Sequence, residues 1–228
     1  MNSNSNSKPH HSFYNLIGRP IIENYGRYKA RIISYKVDPK GDIDKIFISN
    51  NGVIIFKDSS SIHFDGGVIK VVPPVINKAY KTLDDLQYIF LQVKTLNNIL
   101  SVDPRLDYIE KYYKIFRERY EKHLSNISRL LKELDGRRRY LNKIISEYKE
   151  GLFNLELGIQ SGDIDNDIYK LCYNELSDEI LRLSAELEDV ENLISDLSSV
   201  STSIGELLDR IWGSLSIKEV VKYEEEKI

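Results

Sequence analysis

The chain has 228 residues and a mass of 26.5 kDa, with 41% hydrophobic and 29% charged residues. That balance excludes wholesale disorder and places it among ordinary folding proteins, long enough for one or two domains. A single cysteine, Cys172, excludes an internal disulfide and a cysteine-based zinc site and fits a reducing compartment. No apolar run approaches the roughly 20 residues of a spanning helix, so membrane contact is expected to be peripheral or through a partner.

The net charge of minus 3 hides a partition. Residues 1–103 and 104–157 each carry thirteen basic against nine acidic side chains, while residues 158–212 carry three against thirteen and residues 213–228 three against four. Two mildly basic segments are thus followed by one at minus 10 and a nearly neutral tail.

In chain order, residues 1–12 are rich in Asn and Ser, lack the apolar core of a signal peptide, and are expected to form a disordered tail. Residues 13–75 read as a β domain. Short β-branched and aromatic runs at 16–22, 27–37, 43–49, 53–57, 61–64 and 68–72 alternate with turn signals at 24–26, 38–42, 50–52, 58–61 and 65–67. Alternation is clearest at 27–37, where Tyr28, Ala30, Ile32 and Ser34 would share a face. Asn51-Gly52 supplies the two positive-φ positions of a type I′ hairpin turn. Six strands in about sixty residues suggest a small barrel, which closes its own edges, and Pro73-Pro74 ends it.

From Ala79 the period changes. Ala79, Leu83, Leu86, Phe90, Val93, Asn97 and Leu100 mark one seam of a connecting helix, 78–100. Asp103-Pro104 reads as an N-cap and first-turn proline. The next seam runs Leu106, Ile109, Tyr113, Phe116, Tyr120, His123, Ile127, Leu130, Leu134, Arg137, Leu141, Ile144, Tyr148, Gly151 and Leu155, twelve of fifteen being apolar or aromatic. Sustained over seven heptads, it implies a rod about 75 Å long. Residues 158–163 interrupt with two glycines and a capping Asp. A second seam follows: Tyr169, Tyr173, Leu176, Ile180, Leu183, Leu187, Val190, Ile194, Leu197, Ser201, Ile204, Leu208 and Ile211. Opposite charges flanking the seams favour antiparallel pairing of the two rods as a coiled-coil hairpin, 104–212. The serines and Gly205 within 198–205 lower helix propensity and predict a hinge. Residues 213–228 read as a linker and short peptide with apolar anchors, compatible with a strand or a helix.

No side-chain cluster points to catalysis. Gly18 to Gly26 reads GRPIIENYG and lacks the Lys-Ser/Thr ending of a phosphate loop. His10, His11, His63 and His123 are dispersed without a metal-ligand spacing. Cys172 has no neighbouring His and is expected to be inert. The acidic runs around Asp163, Asp165 and Asp167 and around Glu186, Glu188, Asp189 and Glu191 lack the spacing of a calcium loop. No catalytic residue, metal or cofactor is therefore expected. Arg137, Arg138 and Arg139 are the most basic run, but consecutive residues face different sides of a helix. Pairing with the acidic second rod is the preferred account, and phosphate contact is the competing one.

The segments Ile17-Gly18-Arg19-Pro20-Ile21-Ile22, Tyr25 to Ile32 and Val37 to Ile43 resemble the opening of a PRC-barrel, with Ala30 where a second-strand Gly is common. A PRC-barrel followed by a long coiled coil and a short C-terminal peptide resembles the CdvA family of crenarchaeal cell-division proteins over essentially the whole chain. The turn residues Glu150-Gly151, Ile159, Gly162-Asp163-Ile164 and Tyr169 fit the same pattern.

The resemblance implies an α+β multidomain protein: an N-terminal PRC-barrel-like domain, an antiparallel helical hairpin and a C-terminal peptide. It implies a non-enzymatic scaffold in the cytoplasm, at a mid-cell band near the membrane. Such a scaffold polymerises with itself and recruits the ESCRT-III-like protein CdvB through a peptide that adds a strand to its partner. The anchors would be Ile217, Val220, Val221 and Tyr223. DNA association is also attributed to the family and would fall to the barrel and Arg137 to Arg139. Polymerisation needs two interfaces per protomer, for which the barrel with the first helix, and the hairpin, are the natural choices.

Overall fold

The computed structural model of the protein describes residues 16–65, 68–102 and 106–225, and for 64–65, 106–107 and 217–225 the backbone alone. The tail with His10 and His11, the 66–67 part of the last β turn and the Asp103-Pro104 cap lie outside the described residues.

The β segment forms the expected six strands: β1 (Pro20–Glu23), β2 (Lys29–Val37), β3 (Ile43–Asn50), β4 (Val53–Asp58), β5 (Ile62–Asp65) and β6 (Val68–Val71). A 3₁₀ turn, Ser59–Ser61, separates β4 from β5. The strand order is β4-β3-β2-β1-β6-β5, antiparallel except for β1 beside β6. β4 and β5 do not pair, so the sheet is barrel-like but its ladder is not closed, contrary to the expectation.

Local chemistry accounts for most of the turns. Asn51 at φ 48° and Gly52 at φ 83° make the mirror-image turn that right-twisted strands require. Asp38 Oδ1 accepts hydrogen bonds from the backbone N–H groups of Lys40 and Asp42, at 2.8 and 3.0 Å, closing the turn before β3. The core gathers Ile21, Ile32, Ile46, Ile48, Ile62, Ile69 and Val71, each worth about 1.5–3 kcal/mol on burial. Tyr28 and Ala30 pack beside Ile32 as expected, but Ser34 is exposed. A register shift between Ile32 and Ser34 reverses the alternation and brings Tyr35 to the core instead.

Three helices follow: α1 (Pro74–Val102), α2 (Leu106–Ser161) and α3 (Asn166–Glu225). The chain divides into two compact units. One comprises the sheet with Leu155–Leu183, which holds the end of α2, the turn after it and the start of α3. In that turn Gly162 adopts φ 79°, and Asp165 caps α3 by accepting from the Asp167 N–H at 2.8 Å.

The other unit, Lys78–Asn154 with Ser184–Ile228, is a three-helix bundle. Contacts of Lys78 with Glu133 and of Gln92 with Arg119 set α1 antiparallel to α2. Contacts of Tyr113 with Trp212, Tyr120 with Ser201 and Arg137 with Glu186 set α2 antiparallel to α3. The long helices therefore pair within one chain, and the connecting helix is the third member of the bundle. The seams are close to those expected, with Ile89, Leu96, Ile145 and Leu193 buried in place of Phe90, Asn97, Ile144 and Ile194.

The expected hinge does not form. α3 runs unbroken through residues 198–205, because Leu197 and Ile204 are fully buried and the Tyr120 hydroxyl donates to the Ser201 carbonyl at 2.9 Å. Tertiary packing outweighs a propensity deficit of a few tenths of a kcal/mol per serine. Gly213 does not break the helix either: Ile211 and Leu215 are buried on either side, and the backbone is helical to Glu225.

Candidate functional site

The polar side chains of the bundle act as locks between helices. Glu186 lies beside the α3 seam, where Leu187 was expected to be the inward residue, and its carboxylate is fully buried. Arg137, 30% exposed, donates from Nε to Glu186 Oε1 at 2.7 Å, and its guanidinium stacks 5.1 Å from the Tyr140 ring centre. A charge at an otherwise apolar seam is tolerated only when met by such a partner, and it fixes the register of the two helices.

Farther along the bundle Tyr120 reaches from α2 to both the carbonyl and the hydroxyl of Ser201 on α3, at 2.9 and 3.2 Å. The Tyr113 ring stacks on Trp212 with 5.5 Å between centroids. Arg117 binds Glu121 and the Tyr113 hydroxyl, at 2.8 and 3.0 Å, and reaches Asp209 at 3.4 Å. Hydrogen bonds to Glu121 and Tyr113 raise its already high pKa.

α1 is fastened at its start. Lys78 Nζ meets Glu133 at 3.1 Å, and the Tyr80 hydroxyl meets Asp189 Oδ2 at 3.4 Å. Burial first, then the Asp189 charge and its hydrogen bond, push the Tyr80 pKa up to about 12.

In the sheet-bearing unit the corresponding lock is Arg27. Its guanidinium joins Glu23, at 3.0 Å, to Glu179 of α3, at 3.2 Å. Glu23 is buried and also accepts from the backbone N–H groups of Tyr25 and Arg27, bracing the turn at Gly26. Asn77 donates from Nδ2 to the carbonyls of Ser60 and Ile62, at 2.8 and 3.1 Å, fastening the start of α1 to the sheet. Neither feature was found in the sequence. Glu23 and Arg27 flank Gly26 at i, i+4, which signals the local pair, but Glu179 is 152 residues from Arg27.

The sequence-predicted residues separate as follows. Arg137 pairs with the acidic helix, while Arg138 and Arg139 both reach Asp135 one turn back on α2, at 2.6 and 3.3 Å. Ile217, Val220, Val221 and Tyr223 lie on the final helical turns, where the backbone alone is described. Cys172 is a half-buried free thiol. Among the described residues no group of three or more His, Cys, Asp or Glu side chains could hold a metal ion. No described helix is long and apolar enough to cross a membrane.

A six-stranded barrel-like sheet and three helices of alternating direction, locked by charged and tyrosyl side chains at their seams, define a coiled-coil protein with an appended β domain. The model of the CdvA-like coiled-coil domain matches residues 77–209, and the chain belongs to that family, whose role is related to cell division. No curated protein and no solved structure matches it.

Proposed function

We propose that the protein is a non-enzymatic division scaffold that assembles with copies of itself at mid-cell and recruits an ESCRT-III-like partner, CdvB, through its C-terminal residues. The family match across the helical bundle carries this reading. The interhelical locks support it, since they spend the charged side chains of the seams on fixing a rigid element.

Recruitment falls to Ile217, Val220, Val221 and Tyr223, beyond Leu215, the last described buried residue of α3. The backbone there is helical, so docking as an added strand requires these turns to unwind on binding, at the usual cost of ordering a segment anew. Truncation after Ser216 leaves Leu215 in place. It is expected to abolish capture of the partner in a pull-down while the circular dichroism of the bundle is kept, and undiminished capture would refute the assignment. The nucleic-acid reading is not favoured, because all three guanidinium groups of the arginine run are engaged with carboxylates.

A further inference from the structure

The locked side of α1 faces α2 and α3, and its second half is poor in charge. From Ile89 to Val102 there is one charged residue, Lys94, in a protein that is 29% charged. Charge depletion of this kind marks the core of an interface rather than a solvated face. Beside it, α1 and α2 leave an apolar groove of about 470 Å³ between Leu91, Leu96 and Ile99 on one wall and Tyr112 and Phe116 on the other.

Tyr88, Leu91, Ile99, Val102, Tyr108 and Tyr112 are between 48% and 84% exposed. With aromatic side chains burying about 150–250 Å² each, these six show roughly 700 Å². Summed over residues of two helices, this is on the scale of the largest apolar patch of a typical monomer, about 300–600 Å². It approaches the roughly 800 Å² per partner of a stable interface.

We propose that this face is where a second copy of the chain docks, α1 against α1 in antiparallel orientation. The spacing of Tyr88, Leu91, Thr95, Ile99 and Val102 is that of a second helical seam, which selects a helix as the occupant. The seam is its own complement. A two-fold axis at Thr95 sets Tyr88 against Val102 of the other copy, Leu91 against Ile99, and Thr95 against itself. A larger apolar side chain thus meets a smaller one at the ends, and Gln92 meets Asn98 between them. An isologous contact requires this kind of self-pairing, and an unrelated helix would have no need of it. The lone Lys94 per copy imposes little like-charge repulsion, whereas two acidic α3 helices would oppose each other.

The proposal rests on the self-assembly reading above, and one pair of measurements separates the two. In the full chain with Cys172→Ser, Thr95→Cys treated with a short bis-maleimide is expected to convert mostly to a covalent dimer. Ser199→Cys, on an exposed position of α3, is expected to remain monomeric on a denaturing gel. Leu91→Glu with Ile99→Glu is expected to raise the dimer dissociation constant at least tenfold in sedimentation, with helical circular dichroism unchanged. Sedimentation above monomer mass without a Thr95→Cys dimer would overturn this surface and leave self-assembly standing. A monomer at every concentration would overturn both.

Discussion

The Arg137–Glu186 lock predicts an unequal response to the removal of its two partners. Arg137→Ala takes the guanidinium from a carboxylate with no exposed surface, and removing one partner of a buried ion pair costs about 3–5 kcal/mol. Glu186→Ala leaves Arg137, whose side chain is 30% exposed and long enough to carry its charge into water. That cost is nearer 1–2 kcal/mol, the scale of a lost charge-assisted hydrogen bond. Arg137→Met combined with Glu186→Leu removes both charges and is expected to match the parent or exceed it by about 1–4 kcal/mol. Urea unfolding read by Trp212, the single tryptophan, reports on this bundle because the indole stacks on Tyr113 within it. With a slope of about 1–3 kcal/mol per molar, Arg137→Ala should lower the midpoint by a molar or more. A loss below about 1 kcal/mol for Arg137→Ala, or one smaller than that of Glu186→Ala, would refute a buried, charge-matched seam.

Two glycines inside helices should respond in opposite directions to alanine. A Cβ at Gly205 meets the Tyr120 hydroxyl at 3.4 Å, ordinary contact, so Gly205→Ala should gain up to about 1 kcal/mol of helix propensity. A Cβ at Gly158 would lie 2.4 Å from Ile164 Cδ1, so Gly158→Ala should lose about 1–3 kcal/mol; thermal melts of the two variants shifting the same way would contradict both contacts. Tyr80 predicts an alkaline transition. Below pH 10 the phenol is neutral folded and unfolded, and its contribution is complete. Between pH 10 and about 12 the unfolded chain gives up the proton first, so the folded state binds more protons and stability falls as pH rises. The loss should be about 1 kcal/mol after solvent screening. Denaturation midpoints of the parent and Tyr80→Phe should therefore diverge across that window, and parallel curves would exclude the shift.

Much of the fold was legible because its signals are local. Asn51-Gly52 and Asp38 to Asp42 dictate their turns through φ and side-chain hydrogen bonding, so the strands between them follow. The heptads were legible to within one residue. Ile89 for Phe90 and Leu96 for Asn97 are one-position slips, as expected when a repeat of 3.5 is read onto a helix of 3.6 and the helix packs against two neighbours. The third-helix role of α1 was not legible, because one amphipathic stripe does not say how many partners share it. The absent hinge has the same origin: serine and glycine propensities are local, whereas the Tyr120–Ser201 bond joins residues 81 apart. At the candidate sites, the pairing of Arg137 with the acidic helix could be read from charge, but not that its acceptor would be the buried Glu186. Glu179 as the far end of the Arg27 bridge had no signal at all.

Charge segregation explains register better than it explains affinity. If net attraction between a basic and an acidic rod held the hairpin, their charges would meet mainly across the seam. Much of the charge on α2 is instead answered along α2 itself, by Lys114 with Glu110, Lys122 with Glu118, Arg138 with Asp135 and Lys143 with Glu147. Such exposed pairs are worth a few tenths of a kcal/mol each. Apolar burial holds the helices, while Arg137–Glu186 and Arg117–Asp209 choose which residues face each other. The acidic excess of α3 is then left to act between chains, where it disfavours one α3 against another. The nearly uncharged face of α1 is free of that penalty, and it is the surface on which a scaffold with this charge pattern can meet its own copy.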